Sequence, residues 1–345
     1  MKIVGCDLHT RYQQIAMLDK ETGELVERRL EHESGEARSF YAGLEGPVRV
    51  GIEATGHTRW FERVLAELGH ELWIGDAAQI RASVVRKQKT DVRDAAHLLD
   101  LLLSDRFPRI WRPSLEERDL RQLVWHRQKL VWMRNAVGNQ LHALAMGEGV
   151  CRKKKLFTKK GRIELEGLKL GRWASYRRQE LLTLIDQLDA SMKELDQAVV
   201  QQAEQNQAAV LLMTHPGVGP VTSLAFVLTL GPVERFERSK QVVSYLGLNP
   251  REHSSGGRQR LGAISKQGNP MMRSLLVEAG HTAARLDSEL RQDYQRLKIR
   301  RGSGVAKVAI ARKLAVRMYW MLRSPASYAQ LVRMQSSPRG TLVGQ

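Results

Sequence analysis

The sequence predicts an α/β N-terminal domain, a long helical hairpin and a mostly α-helical C-terminal domain. Three observations carry this expectation. The first hundred residues alternate short apolar strand-like runs with amphipathic segments in the order βββαβαβα. From Leu120 apolar residues recur at alternating spacings of three and four, and they do so again from Leu181. A Pro216-Gly217-Val218-Gly219 turn then lies between two apolar helices, with further helical periodicity beyond it.

The elements follow in order. KIVGCDL, QQIAMLD and LVERRLEHE read as a three-strand meander, with a Thr22-Gly23 turn between the second and third. A helix follows at about 36–45, then the buried strand VRVGIEA, a helix over Arg59–Leu68, the strand ELWIG and a basic connector, RASVVRKQK. The eighth element is a helix carrying Asp91 and Asp94, with Ala95, Leu98, Leu99 and Leu102 on its inner side. After Pro108 and Pro113 the composition changes. The first long helix runs through Leu123, Leu130, Val137, Leu141 and Leu144, interrupted in its seam by Arg127 and Arg134. Those two arginines cost stability unless they meet acids or nucleic acid. The second runs through Leu181, Leu184, Leu188 and Leu195. After the Gly-x-Gly turn come a short helix, SKQVVSYLGL, a Gly- and Ser-rich segment and three more helices, with frayed residues from Ser324. The domain limits expected are 1–108, 109–205 and 206–330, with a flexible tail over 331–345.

At 345 residues the chain is long enough for more than one core. Lysine and arginine number 55 against 37 acids, a net charge of +18, which exceeds what solubility asks and puts nucleic acid first among partners. Two cysteines, Cys6 and Cys151, exclude a disulfide scaffold or a Cys-rich zinc site. Nothing resembles a secretory leader, and no apolar run approaches the roughly 20 residues of a membrane span. A soluble cytoplasmic protein is expected.

Asp91 and Asp94, three apart at a helix start, point the same way with Cβ atoms about 5–6 Å apart. Alone, such a pair fits a solvated first turn favoured by the helix dipole. Asp7 and Glu53 change its meaning, because each ends an apolar strand run, and mixed sheets collect ligands at strand ends. His9, His57 and His97 lie near these acids in sequence; a surface or core histidine is the simpler account of each, and none is assigned as a ligand.

In the contexts GCDLHT, IEATGH and KTDVRDA, the acids Asp7, Glu53, Asp91 and Asp94 resemble those of a RuvC-like, ribonuclease-H-type domain, and more narrowly the DEDD transposases of the insertion sequence 110 family, relatives of the Piv invertases. The resemblance implies a two-metal site in which Mg²⁺ suits an all-oxygen ligand set. It extends along the chain. The segment NPREHSSGGRQRLGAISKQGNP resembles the family's C-terminal transposase motif, whose serine before glycine is the nucleophile; that serine matches Ser255, with Ser254 one residue away as the alternative. A hydroxyl needs activation, and the resemblance assigns that task to the metal cluster.

Other candidates are contacts. Trp125 and Trp132 are seven apart on one helix among Arg127, Lys129 and Arg134, where they either stack on bases or pack the hairpin core. Arg152, Lys153, Lys154, Lys155, Lys159, Lys160 and Arg162 form a run with few acids to neutralise it, either a solvated loop or a phosphate-binding one. Gly217 and Gly219 make either an ordinary interhelical turn or a helix-hairpin-helix-like cradle for a phosphate. Arg251, Arg258, Arg260, Lys266 and Arg273 surround the serine loop and are placed to clamp phosphates.

The resemblance implies a transposase of mobile DNA whose serine forms a covalent phosphoserine. It further implies donor and target DNA as partners, a bridge RNA as guide, and a homodimer or homotetramer associated with the nucleoid. Two other readings remain at this point. One is a metal-dependent endonuclease or Holliday-junction resolvase using water; the other is a non-catalytic nucleic-acid-binding regulator.

Overall fold

The computed structural model describes residues 1–84, 90–152, 155–254, 258 and 260–336, with side chains as far as 333. Two compact units divide it, Met1–Arg112 and Pro113–Gln345.

In the first unit, β1 (Lys2–Leu8), β2 (Tyr12–Asp19) and β3 (Leu25–Glu31) form the meander, followed by α1 (Glu36–Ala42), β4 (Val48–Glu53), α2 (Arg59–Glu67) and β5 (Glu71–Gly75). Two helices come next, α3 (Ala77–Ser83) and α4 (Asp91–Leu103). The sheet order is β3-β2-β1-β4-β5. Strands β1 to β3 pair antiparallel, while β4 runs parallel to β1 and to β5. Alternation along β1 and β2 gives the sheet two apolar faces. Val4, Cys6, Ile15 and Met17 pack with Tyr41, Phe61 and Leu65, whereas Ile3 and Ala16 pack with Ala95, Leu98, Leu99 and Leu102 of α4. Helix α3 fills the stretch after β5 to which the sequence assigned no element and ends within the first three residues of the expected basic connector. Asp76 caps it by accepting from the Ala78 and Gln79 amides, and buried Ile80 anchors it.

Helix α4 begins where Thr90 accepts from the Arg93 amide, so the capping residue places Asp91 and Asp94 in the first turn. Its approach to the sheet depends on Gly5. A Cβ there would lie 2.3 Å from both the Ala95 carbonyl oxygen and the Leu99 nitrogen, so backbone meets backbone.

The second unit opens with α5 (Leu115–Gly147), started by a capping box between Ser114 and Glu117. After it come α6 (Lys159–Glu166) and α7 (Arg172–Gln205). Helices α5 and α7 form an antiparallel hairpin around Leu130, Val137, Leu141, Leu182, Ile185 and Leu188. The seam arginines do meet acids. Arg127 Nε donates to Asp196 at 2.7 Å, and Arg134 makes a two-pronged contact with Asp189.

The C-terminal core assembles α8 (Gln207–Met213), α9 (Pro220–Leu230), α10 (Ser239–Tyr245), α11 (Pro270–Leu286), α12 (Ser288–Arg323) and α13 (Tyr328–Ser336). The last two of the three expected helices both form within α12 and are separated at Gly302, whose φ of 84° is not helical. The chain does not fray at Ser324. The Tyr328 ring packs at a tilt against His215, its hydroxyl donates to Asp287, and Leu331 is buried. The part of the expected tail from 337 onward lies outside the described residues. The Ser-rich segment contains a small hairpin, β6 (Pro250–Glu252) paired with β7 (Leu261–Ile264), where the sequence alone suggested an irregular loop. Among the described residues, no helix is long and apolar enough to cross a membrane.

Candidate functional site

The C-terminal ends of the parallel strands β1 and β4 hold two of the expected acids. Their register pairs Cys6 with Ile52, so Asp7 and Glu53 each follow the last paired residue on neighbouring strands. Close packing of α4 on β1 then brings the first turn of that helix over Asp7.

The side chains that meet here are Asp7, His9 and Asp91, which can each offer a ligand atom within 4.8 Å of the others. His9 Nε2 lies 3.1 Å from Asp7 Oδ2 and 3.5 Å from Asp91 Oδ2. Tyr12, across the β1–β2 turn, donates its hydroxyl to Asp91 Oδ2 at 2.8 Å. The His9 ring lies against that of Tyr12, centroids 4.6 Å apart, and the Arg29 guanidinium sits 3.7 Å from the Tyr12 centroid. Glu53 and Asp94 do not belong to this closest group. Glu53 stands half-buried at the end of β4, and Asp94 lies one helical turn along from Asp91.

Burial pushes the Asp7 carboxyl above its ordinary value; the Asp94 and Asp91 carboxylates push the same way, and His9 opposes them. Three carboxylates thus crowd one half-buried position, an arrangement that a divalent cation relieves. The donor set is oxygen-rich and fits a hard metal ion completed by water and phosphate oxygens. The hydrogen bond to Asp91 raises the Tyr12 hydroxyl, which keeps it a donor to that carboxylate. Sequence reasoning named His9 beside the acids without assigning it to the site, and it passed over Tyr12. The available signal was weak: both sit at the ends of paired strands, Leu8 opposite Gln13, so that the turn folds them onto the Asp7 edge.

The contact candidates divide. Trp125 is half-buried and packs against the C-terminal core, whereas Trp132 is 44% exposed. The basic run is less bare than expected. Arg152 pairs with Glu164 at 2.7 Å, and Arg162 bridges Glu166 and Asp186. Leu156 and Leu165 are buried, and α6 replaces part of the expected loop. Lys155, Lys159 and Lys160 are exposed; Lys153 and Lys154 lie outside the described residues. Gly217 is explained by packing. Its φ is 87°, and a Cβ would lie 2.5 Å from the Ala283 nitrogen of α11, while Gly219 faces open space before α9. Beside this turn, burial pushes His215 down to about 4 despite its hydrogen bond to the Pro216 carbonyl, so the ring there is neutral.

In the serine segment, the Ser254 hydroxyl donates to Glu252 at 2.6 Å and accepts from the Arg260 amide at 3.1 Å. Ser255 lies outside the described residues. Arg251, Arg258 and Arg260 are exposed around the hairpin, and Lys266 adopts a left-handed conformation with φ 58°. Arg273 is instead spent on the backbone, donating to the Gln267 and Leu246 carbonyls.

Comparison with known proteins agrees with this distribution. Residues 4–147 match the DEDD transposase profile of the IS110 group, and residues 209–295 match the profile described as Transposase IS116/IS110/IS902 family. A probable family 20 transposase of Pseudomonas aeruginosa is 28% identical over 335 residues, covering 93% of this chain and 96% of that one. The transposase for insertion sequence element IS1111A of Coxiella burnetii is 26% identical over 95% of this chain and 91% of its own. That for IS1328 of Yersinia enterocolitica is 25% identical over 93% and 96%. The first profile spans the strands and helix that carry all four acids, the second spans the serine hairpin, and the relatives align nearly end to end: the chain belongs to the IS110 family of DEDD transposases.

Proposed function

We propose that this transposase cuts and rejoins DNA through a serine nucleophile assisted by divalent metal bound at the Asp7 edge of the sheet. Family membership carries DNA as substrate and divalent metal as cofactor; the residue roles are the proposal. Asp7, Glu53, Asp91 and Asp94 hold the metal, with Mg²⁺ the natural choice for carboxylate oxygens, in a domain of RuvC-like type. Bound there, the metal supplies Lewis-acid activation and charge neutralisation at a phosphodiester. The observation that carries this reading is the convergence of carboxylates around half-buried Asp7.

Ser255 is the proposed nucleophile. Its oxygen forms a bond to phosphorus as one P–O ester bond to deoxyribose breaks, leaving a phosphoserine and a free sugar hydroxyl, so the bond energy is kept for rejoining. The hydroxyl of neighbouring Ser254 is committed to Glu252 and the Arg260 amide within the hairpin, which supports assigning the attack to the next serine. Exposed Arg251, Arg258, Arg260 and Lys266 are proposed phosphate contacts, and exposed Lys155, Lys159 and Lys160 extend the basic surface. The hairpin of α5 and α7 is proposed as a coiled-coil spacer in a homodimer or homotetramer, and a bridge RNA as the guide to donor and target DNA.

The test is a denaturing gel of labelled DNA incubated with protein and Mg²⁺. Wild type and Ser254→Ala form a covalent protein–DNA adduct and Ser255→Ala does not. Cleavage by Ser255→Ala at the wild-type rate, without adduct, would instead establish water as the attacking group.

A further inference from the structure

We infer that His9 is itself a ligand of the divalent ion, alongside Asp7 and Asp91, and that this nitrogen turns the site towards Mn²⁺ over Mg²⁺. The inference rests on the proposed metal site at the same acids and adds a residue outside their set.

The geometry is that of a coordination edge. Around an octahedral ion with ligand distances near 2.0–2.1 Å, adjacent ligand atoms are separated by about 3 Å. Nε2 of His9 stands 3.1 Å from the Asp7 oxygen and 3.5 Å from the Asp91 oxygen. One nitrogen thus faces one oxygen from each of two acids, and a single N–H can be directed well at only one of them. A cation in the space between them engages all three.

The ring is held for this role from several sides. The His9 amide donates to the Tyr12 carbonyl at 3.0 Å, which closes the β1–β2 turn. The imidazole lies against the Tyr12 ring with planes inclined by 30°. Tyr12 is in turn fixed by its hydroxyl on Asp91 and by Arg29 over its ring. Tyr12 is therefore a positioning residue for both an acid and the imidazole, of the kind that orients ligands in metal sites. Mg²⁺ favours an all-oxygen shell, whereas Mn²⁺, though also served by oxygen, is a first-row transition ion that accepts an imidazole nitrogen more readily, so a nitrogen in the set shifts the preference.

Pulsed electron paramagnetic resonance on the full chain loaded with Mn²⁺ tests this directly. Wild-type protein should show modulation from a coordinated imidazole nitrogen, and labelling histidine with ¹⁵N should change its frequencies without any substitution. In His9→Ala the modulation is lost while Mn²⁺ still binds, and the preference for Mn²⁺ over Mg²⁺ in competition falls; in His57→Ala the signal is unchanged. Mn²⁺ that binds wild type, is lost in Asp7→Asn and shows no nitrogen modulation would overturn the His9 assignment and leave the acid site standing. Modulation that persists in His9→Ala would also overturn it. If wild type binds no Mn²⁺ and no Mg²⁺, both readings fall together.

Discussion

Replacing Gly5 by alanine should damage the acid cluster without altering an acid. The added methyl would sit 2.3 Å from the Ala95 carbonyl oxygen and the Leu99 nitrogen. Ordinary contact begins near 3.4 Å, so α4 and β1 must separate by about 1 Å, and both obstacles are backbone, with no rotamer to escape into. Overpacking of this kind costs about 1–3 kcal/mol. The same displacement carries Asp91 and Asp94 away from Asp7, and a misplacement of about 1 Å is enough to lower a rate on the order of 100-fold. Gly51→Ala is the matched control, because its methyl would meet only side-chain atoms of Leu102 and Phe107, at 2.7 and 3.0 Å. Urea unfolding should rank Gly5→Ala below Gly51→Ala, and Mn²⁺ titration should show weaker binding for Gly5→Ala at temperatures where it is folded. A Gly5→Ala protein with wild-type stability and metal affinity would refute the idea that this close approach sets the site.

Three further outcomes are expected. Burial alone would raise the Asp287 carboxyl, but the Leu290 amide, Tyr328 and Arg317 outweigh it and hold it below its ordinary 3.8. A depressed carboxylate contributes stability in full above its unfolded value and loses it as pH falls through the folded one. The stability gap between wild type and Asp287→Asn should therefore narrow from roughly pH 5 downward, as followed by urea midpoints. Gly217→Ala should destabilise by about 1–3 kcal/mol, since its positive φ and the Ala283 backbone both oppose a side chain; thermal unfolding reads this. Lys159→Ala/Lys160→Ala should leave the fold intact and reduce the slope of log affinity for duplex nucleic acid against log salt by about 2, about 0.9 for each phosphate no longer neutralised.

Much of the first unit was legible because its signals are local. Strand runs and the apolar stripe Ala95, Leu98, Leu99 and Leu102 depend on residues within one or two turns of each other. The ordering of the acids by strand ends and a helix start was legible for the same reason. What escaped depends on partners far along the chain. Gly5 reads as an unremarkable strand glycine until α4 arrives some ninety residues later. Arg162 reads as part of a bare basic run because Asp186 comes 24 residues on. His9 belongs to no spacing pattern, and its importance comes from a turn that aims it at two carboxylates. The short helix α6 was hidden by basic composition and α3 by its brevity, and their apolar anchors, Leu165 and Ile80, are too few to make a period. The match of Ser255 to a nucleophile came from family resemblance, since composition alone describes that segment only as polar.

The paired arginines of the helical hairpin set its register. Arg127 pairs with Asp196 and Arg134 with Asp189; the two arginines are seven residues apart, as are the two aspartates, so a slip of one heptad would break both pairs and re-form only one, with exchanged partners. In one direction Arg134 would come opposite Leu182; in the other Arg127 would come opposite Ala203, and both of these positions are fully buried. Leucines tolerate such a shift because one heptad of apolar residues packs much like the next. A guanidinium facing a buried apolar site does not, and the two pairs together admit a single alignment. The same charges that interrupt the apolar stripe therefore decide which leucine meets which, and with it the length and reach of the arm.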